Sequence, residues 1–113
     1  MGLFDIFSSV KKYAVSQEEL IDAVKNTNTL VIDVRSFLEY KQSHLTPCHN
    51  VDVKDKSFEV KISKYTKNDP YILVCQSGPR SKKALKTMLK LGFDQVGFLE
   101  GGMKQWTGQK RLK

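Results

Sequence analysis

The chain reads as an α/β domain: a small, mainly parallel sheet flanked by helices. Three observations carry that reading. Leu30-Val31-Ile32-Asp33-Val34 and Tyr71-Ile72-Leu73-Val74 are short, nearly continuous apolar runs. They lack the in–out alternation of a half-solvated strand, so each suits a strand covered on both faces. Segments with helical spacing lie between and around these runs, so strands and helices alternate along the chain. Two of the helices mark their own starts, because Ser16-Gln17-Glu18-Glu19 and Ser36-Phe37-Leu38-Glu39 both carry the Ser-x-x-Glu pattern of a capping box.

In order, residues 1–14 form an arm set apart from the domain at 15–113. Leu3, Phe4, Phe7 and Val10 share one helical stripe ahead of Lys11-Lys12. Such a face suits packing on the domain or a partner chain, and lying on a membrane surface is the alternative. The first capping box opens a helix that carries Leu20, Ile21, Ala23 and Val24 to about Lys25, and Asn26-Thr27-Asn28 ends it. The strand from Leu30 follows. The second box opens a brief helix ending near Ser43; Pro47 then sets a loop, and Asn50-Val51-Asp52-Val53 reads as a short strand. Phe58, Ile62 and Tyr65 keep helical spacing until Asn68-Asp69-Pro70 breaks the chain. After the second apolar strand, a helix from near Ser81 carries Ala84, Leu85, Met88, Leu89 and Leu91 on one face and stops at Gly92. Gln95 to Leu99 is a last strand, and Gly101-Gly102 turns into a short closing helix with Trp106.

Composition narrows the function. A chain of 113 residues with 40% hydrophobic content supports one domain with a real core. Its apolar runs fall far short of the ~20 residues needed to cross a bilayer. No basic segment followed by an apolar stretch marks a secretion signal, so a cytoplasmic protein is expected. The two cysteines, Cys48 and Cys75, make no disulfide framework and are expected to be reduced. The formal charge of +7 comes largely from lysines scattered over a solvated face. No nucleic-acid motif accompanies them, but the field they create would draw in a small dianion. The spacing of His44, Cys48 and His49 fits no zinc pattern and supplies too few ligands, so no metal is expected.

The chemistry points to Cys75-Gln76-Ser77-Gly78-Pro79-Arg80-Ser81. A strand that ends at a cysteine, turns through a short Gly/Pro loop and enters a helix aims several N–H groups at one point. The sulfur then sits at the carboxyl end of a strand and at a helix N-terminus, where negative charge is stabilised. That setting favours a nucleophilic thiolate. Gly78 lets the backbone close around sulfur. Arg80, with Lys82 or Lys83, adds positive charge for an anionic substrate, or else Arg80 anchors the loop from the start of the helix, and Ser77 offers a hydroxyl. Cys48 is either a plain thiol or one that could resolve an intermediate on Cys75.

Together these pieces resemble the rhodanese domain, in particular the single-domain thiosulfate sulfurtransferases. Val31-Ile32-Asp33-Val34-Arg35 with Glu39-Tyr40 and Ser43-His44-Leu45 is similar to the family's first signature. Cys75 through Ser81 is similar to its active-site loop, and Leu99-Glu100-Gly101-Gly102-Met103 with Trp106 to its closing signature. The resemblance spans about residues 15 to 108. Where the family has Gly-His-Ile-Pro-Gly-Ala, this chain has Ser43-His44-Leu45-Thr46-Pro47-Cys48, with the proline displaced and the glycine lost. The resemblance implies a sulfurtransferase that takes sulfane sulfur from a small anionic donor such as thiosulfate. Cys75 would carry it as a persulfide and pass it to cyanide or a thiol, with no cofactor. It also allows a sulfur relay to a protein acceptor. Asp33 and Arg35 would support the loop. The related cysteine-based phosphatases use a loop one residue longer, which argues against phosphate as the substrate.

Overall fold

The two apolar runs pair with each other at the middle of the sheet. In the computed structural model, which describes residues 10–113, Leu30 to Asp33 (β2) lies parallel to Tyr71 to Val74 (β4), with Ile32 opposite Leu73. The other strands are Ala14–Val15 (β1), His49–Asn50 (β3) and Val96–Leu99 (β5). All pairings are parallel, in the order β1-β5-β4-β2-β3, so β4 is central. The chain therefore has the expected α/β fold, with a sheet more uniformly parallel than the sequence required.

Helices cover both faces, as parallel strands require. On one face, α3 (Phe58–Ile62) and α4 (Pro79–Lys90) bury Phe58, Ile62, Ala84, Leu85 and Met88 against Ile32, Leu73 and Phe98. On the other, α1 (Gln17–Asn26) buries Leu20 and Val24 against Val31, Ile72 and Val74. The short helix α2 (Phe37–Gln42) follows β2. Both expected capping boxes are present, with the Ser16 and Ser36 hydroxyls accepting from the Glu19 and Glu39 N–H groups. Gly101-Gly102 leads into a single 3-10 turn, Met103–Gln105, and Trp106 follows it rather than riding on a helix.

Several details depart from the sequence reading. β1 was not foreseen: Ala14 pairs with Phe98 and Val15 with Leu99, so the sheet reaches back into the segment assigned to the arm. The stripe residues Leu3, Phe4 and Phe7 lie outside the described residues. The strand expected at Asn50–Val53 is a ladder only at His49–Asn50; Val51 and Val53 still donate to the Asp33 and Val34 carbonyls, at 2.9 and 3.1 Å. α3 is shorter than the apolar spacing to Tyr65 suggested. Among the described residues, no helix is long and apolar enough to cross a membrane.

Candidate active site

Cys75 is the first residue beyond β4, at the carboxyl end of the central strand, and is 1% exposed. The chain turns through Gln76, Ser77 and Gly78 and enters α4 at Pro79, two residues before the start expected near Ser81. Proline at the first helical position explains the difference, since its fixed φ suits that site and its missing N–H would have been unpaired anyway. Gly78 caps the helix with φ +124°, a conformation that side-chain-bearing residues avoid. From there its N–H donates to Cys75 Sγ at 2.9 Å.

The closing turn orients the rest of the loop. Met103 N–H donates to the Cys75 carbonyl and Lys104 N–H to the Gln76 carbonyl, both at 2.8 Å. In a trans peptide the N–H points opposite to the carbonyl, so the Gln76 and Ser77 N–H groups turn away from the closing turn. Neither they nor the N–H groups of Arg80 and Ser81 donate to any described residue. Unpartnered backbone donors thus lie at the N-terminus of a twelve-residue helix, in the loop whose Gly78 N–H holds the sulfur. Gly102 makes the approach possible: a Cβ there would lie 2.6 Å from the Cys75 oxygen and 2.5 Å from the Gln76 oxygen.

Two ion pairs brace the loop. Asp33 and Arg35 are both buried, joined at 2.7 Å between Arg35 Nη2 and Asp33 Oδ2. Arg35 Nη2 also donates to the Ser43 carbonyl at 2.6 Å, and Nη1 reaches Gln76 Oε1 at 3.4 Å. Arg80, expected either to meet substrate or to anchor the loop, places Nη1 and Nη2 on the two Glu39 carboxylate oxygens at 2.6 and 2.9 Å. Glu39 therefore caps α2 and ties it to α4. The Arg80 hydrogen bonds hold its carboxyl well below the usual range, at about 2.

Of the remaining loop residues, Gln76, Ser77 and Pro79 are exposed, and Ser81 is fully buried with its hydroxyl unpartnered. His44 stacks on Tyr40 and bonds the Tyr40 carbonyl through Nδ1 at 2.7 Å, while His49 Nδ1 meets the Tyr65 hydroxyl at 2.9 Å. Cys48 packs on the α1 face of the sheet and Cys75 on the α4 face. Cys48 precedes β3, where His49 lies level with Ile32 and hence with Leu73. Two strand spacings and three residues of rise put the two Cα atoms roughly 14 Å apart, twice the ~7 Å that a disulfide spans. Within one chain Cys48 is not placed to resolve an intermediate on Cys75, and burial pushes its thiol up to about 12.

A pocket of about 390 Å³ opens beside the loop, with Ala14, Ser77, Gly78, Lys82, Phe98 and Glu100 in its wall. Sequence reasoning had singled out Ser77, Gly78 and Lys82. Ala14 and Glu100 enter through the β1–β5 pairing, which two residues of unpatterned strand did not announce.

The rhodanese-like domain family matches residues 16–109, which include the brace, the cysteine loop and the closing turn. The chain belongs to this family. A mouse thiosulfate sulfurtransferase/rhodanese-like domain-containing protein 3 is 32% identical over 88% of this chain and 71% of its own length. The Bacillus subtilis protein YrkF, provisionally named a sulfur carrier, is 30% identical over 81% of this chain, which spans only 48% of that protein. Among solved structures, a Staphylococcus aureus rhodanese-like domain protein superposes with TM-score 0.74 at 22% identity, covering 85% of this chain and 92% of that one. The human single-domain sulfurtransferase TSTD1 does so with TM-score 0.70 at 23% identity, covering 83% and 94%. At that identity, the structures show that the fold is shared. In this rhodanese-like domain the displaced proline of the first signature does not disturb the brace, because Ser43 contributes a backbone carbonyl, which any residue supplies.

Proposed function

We propose that the protein is a sulfurtransferase in which Cys75 carries sulfane sulfur as a persulfide. The observation that carries this reading is the Cys75 sulfur itself, held at 2.9 Å by the Gly78 N–H among further N–H groups that have no described partner. The Cys75 thiolate attacks the outer sulfur of thiosulfate; an S–S bond forms to Sγ, the donor S–S bond breaks, and sulfite leaves with the electron pair. Thiolate, donor and persulfide are all anionic. Preorganised N–H groups stabilise each without a separate acid, metal or organic cofactor. The loop from Cys75 to Arg80 has six residues, one fewer than the related cysteine-based phosphatases use, which favours sulfur transfer over phosphate chemistry.

Intact mass after incubation with thiosulfate and desalting tests the reading. The wild type should gain one sulfur atom that cyanide removes, and Cys75→Ser should gain none. Absence of the adduct on reduced, folded wild type refutes it for thiosulfate. A relay to a protein acceptor is the second reading. It draws on exposed Phe37 and Leu38, 63% and 71% accessible, beside the Glu39–Arg80 pair at the loop. A large apolar side chain on that surface gains most from burial against a partner.

A further inference from the structure

Lys82 and Glu100 line one pocket without pairing across it. Among the described residues neither side chain has an ion-pair partner; the Lys82 ammonium lies 5.8 Å from the centroid of the Phe98 ring. Phe98 and Ala14 supply an apolar wall, and Ser77 and Gly78, from the cysteine loop, supply another. The residue whose N–H holds the Cys75 sulfur therefore also faces this cavity. At about 390 Å³ the space falls in the range of small organic ligands and far exceeds what cyanide needs. A separated cation and anion around an apolar floor complement a ligand bearing both opposite charges on a short carbon body.

We propose that this pocket is the acceptor subsite, and that it selects a small thiol carrying both a carboxylate and an ammonium group. The inference rests on the persulfide reading of Cys75. Lys82 faces the carboxylate, Glu100 faces the ammonium, and the methylene body lies on Phe98 and Ala14. The acceptor thiolate attacks the outer sulfur of the persulfide and forms a new S–S bond to it. The Cys75 Sγ–S bond breaks, and Cys75 leaves as thiolate with the electron pair. The product is the acceptor's own persulfide, so no outside oxidant or reductant is required.

The test uses the full chain loaded with thiosulfate, desalted, and discharged in a single turnover. Four acceptors are compared per thiolate: cysteine with both charges, mercaptopropionate with the carboxylate, cysteamine with the ammonium, and mercaptoethanol with neither. Exposed charge pairs of this kind change rates by about two- to fivefold each, so cysteine should discharge the enzyme roughly four to twenty-five times faster than mercaptoethanol. Lys82→Gln should abolish the advantage of mercaptopropionate and keep that of cysteamine; Glu100→Gln should do the reverse. Equal rates for all four thiols, or variants that slow all four by the same factor, overturn the subsite while leaving the persulfide intact. Failure of the wild type to load overturns both.

Discussion

Replacing Gly102 with alanine tests how far the cysteine loop depends on the closing turn. Gly102 has φ +64° and ψ −166°, a region occupied almost solely by glycine, and forcing another residue into it costs about 1–3 kcal/mol. The new Cβ would meet Gln76 O at 2.5 Å, Cys75 O at 2.6 Å and Gln76 C at 2.7 Å. These are backbone atoms and cannot swing aside, so the turn must retreat from the loop. Retreat breaks the bonds from Met103 N–H and Lys104 N–H, worth about 1 kcal/mol each. The expected loss is therefore about 3–5 kcal/mol, a large share of the ~5–15 kcal/mol that stabilises a domain. Gly101→Ala is the control. Its φ of +81° is also strained, but its Cβ meets the Gln105 side chain, which can move. Urea titration followed by the fluorescence of Trp106, the only tryptophan, gives both free energies. Amide hydrogen exchange at Met103 and Lys104 reports the two bonds directly. A Gly102→Ala loss below about 1 kcal/mol, or one equal to that of Gly101→Ala with both amides still protected, would refute the reasoning, which expects the full strain and hydrogen-bond cost.

Removing Arg35 should be costly, since Arg35→Met leaves the Asp33 carboxylate buried and unpaired; a loss of about 3–5 kcal/mol in urea titration is expected, with partial recovery in Asp33→Asn/Arg35→Met. The Glu39–Arg80 pair should show as a pH dependence. The Glu39 carboxyl is lowered from 4.5 to about 2, so its contribution is complete above the unfolded value and is lost as pH falls from 4.5 through about 2. The Glu39 side chain is 34% exposed, so screening reduces the effect to ~1 kcal/mol. Glu39→Gln should lower stability near neutrality and flatten the acid limb of the stability profile over that interval; an unchanged acid limb would remove the pair from the account.

What the sequence made legible was local. The capping boxes at Ser16 and Ser36 are decided within four residues, and both form. The runs that became β2 and β4 are apolar enough to demand cover on both faces. The partnership of Arg80 with Glu39 joins positions 41 apart, and no local pattern distinguishes that arginine from one waiting for substrate. β1 escaped notice because two residues carry no periodicity; its existence depends on the open edge of β5. Gly102 was readable as a turn, but its contact with the cysteine loop depends on β4 and β5 ending side by side.

These long-range pairings change where the positive character of the site resides. From sequence, Arg80, with Lys82 or Lys83, is the expected counter-charge for an anion, and Arg35 a support of the loop. In the fold each guanidinium meets a carboxylate, Arg80 with Glu39 and Arg35 with Asp33, so neither contributes a net charge to the cysteine loop. Closest to the Cys75 sulfur is the Gly78 N–H, a fixed dipole, next to the Gln76 and Ser77 N–H groups, whose direction is set by carbonyls tied to Met103 and Lys104, while Lys82 places its charge in the neighbouring pocket. Dipoles held in place lose their effect within a turn of helix, which suits the proposed cycle, in which one sulfur atom is stabilised as thiolate, as persulfide and again as leaving group without being trapped in any one state. Long-range attraction then falls to the overall charge of +7. It is weakened by salt, whereas the short-range Gly78 N–H bond at the sulfur is not. Added salt should therefore slow capture of a dianionic donor at low concentration and leave the discharge of a loaded Cys75 by cyanide in excess much less affected.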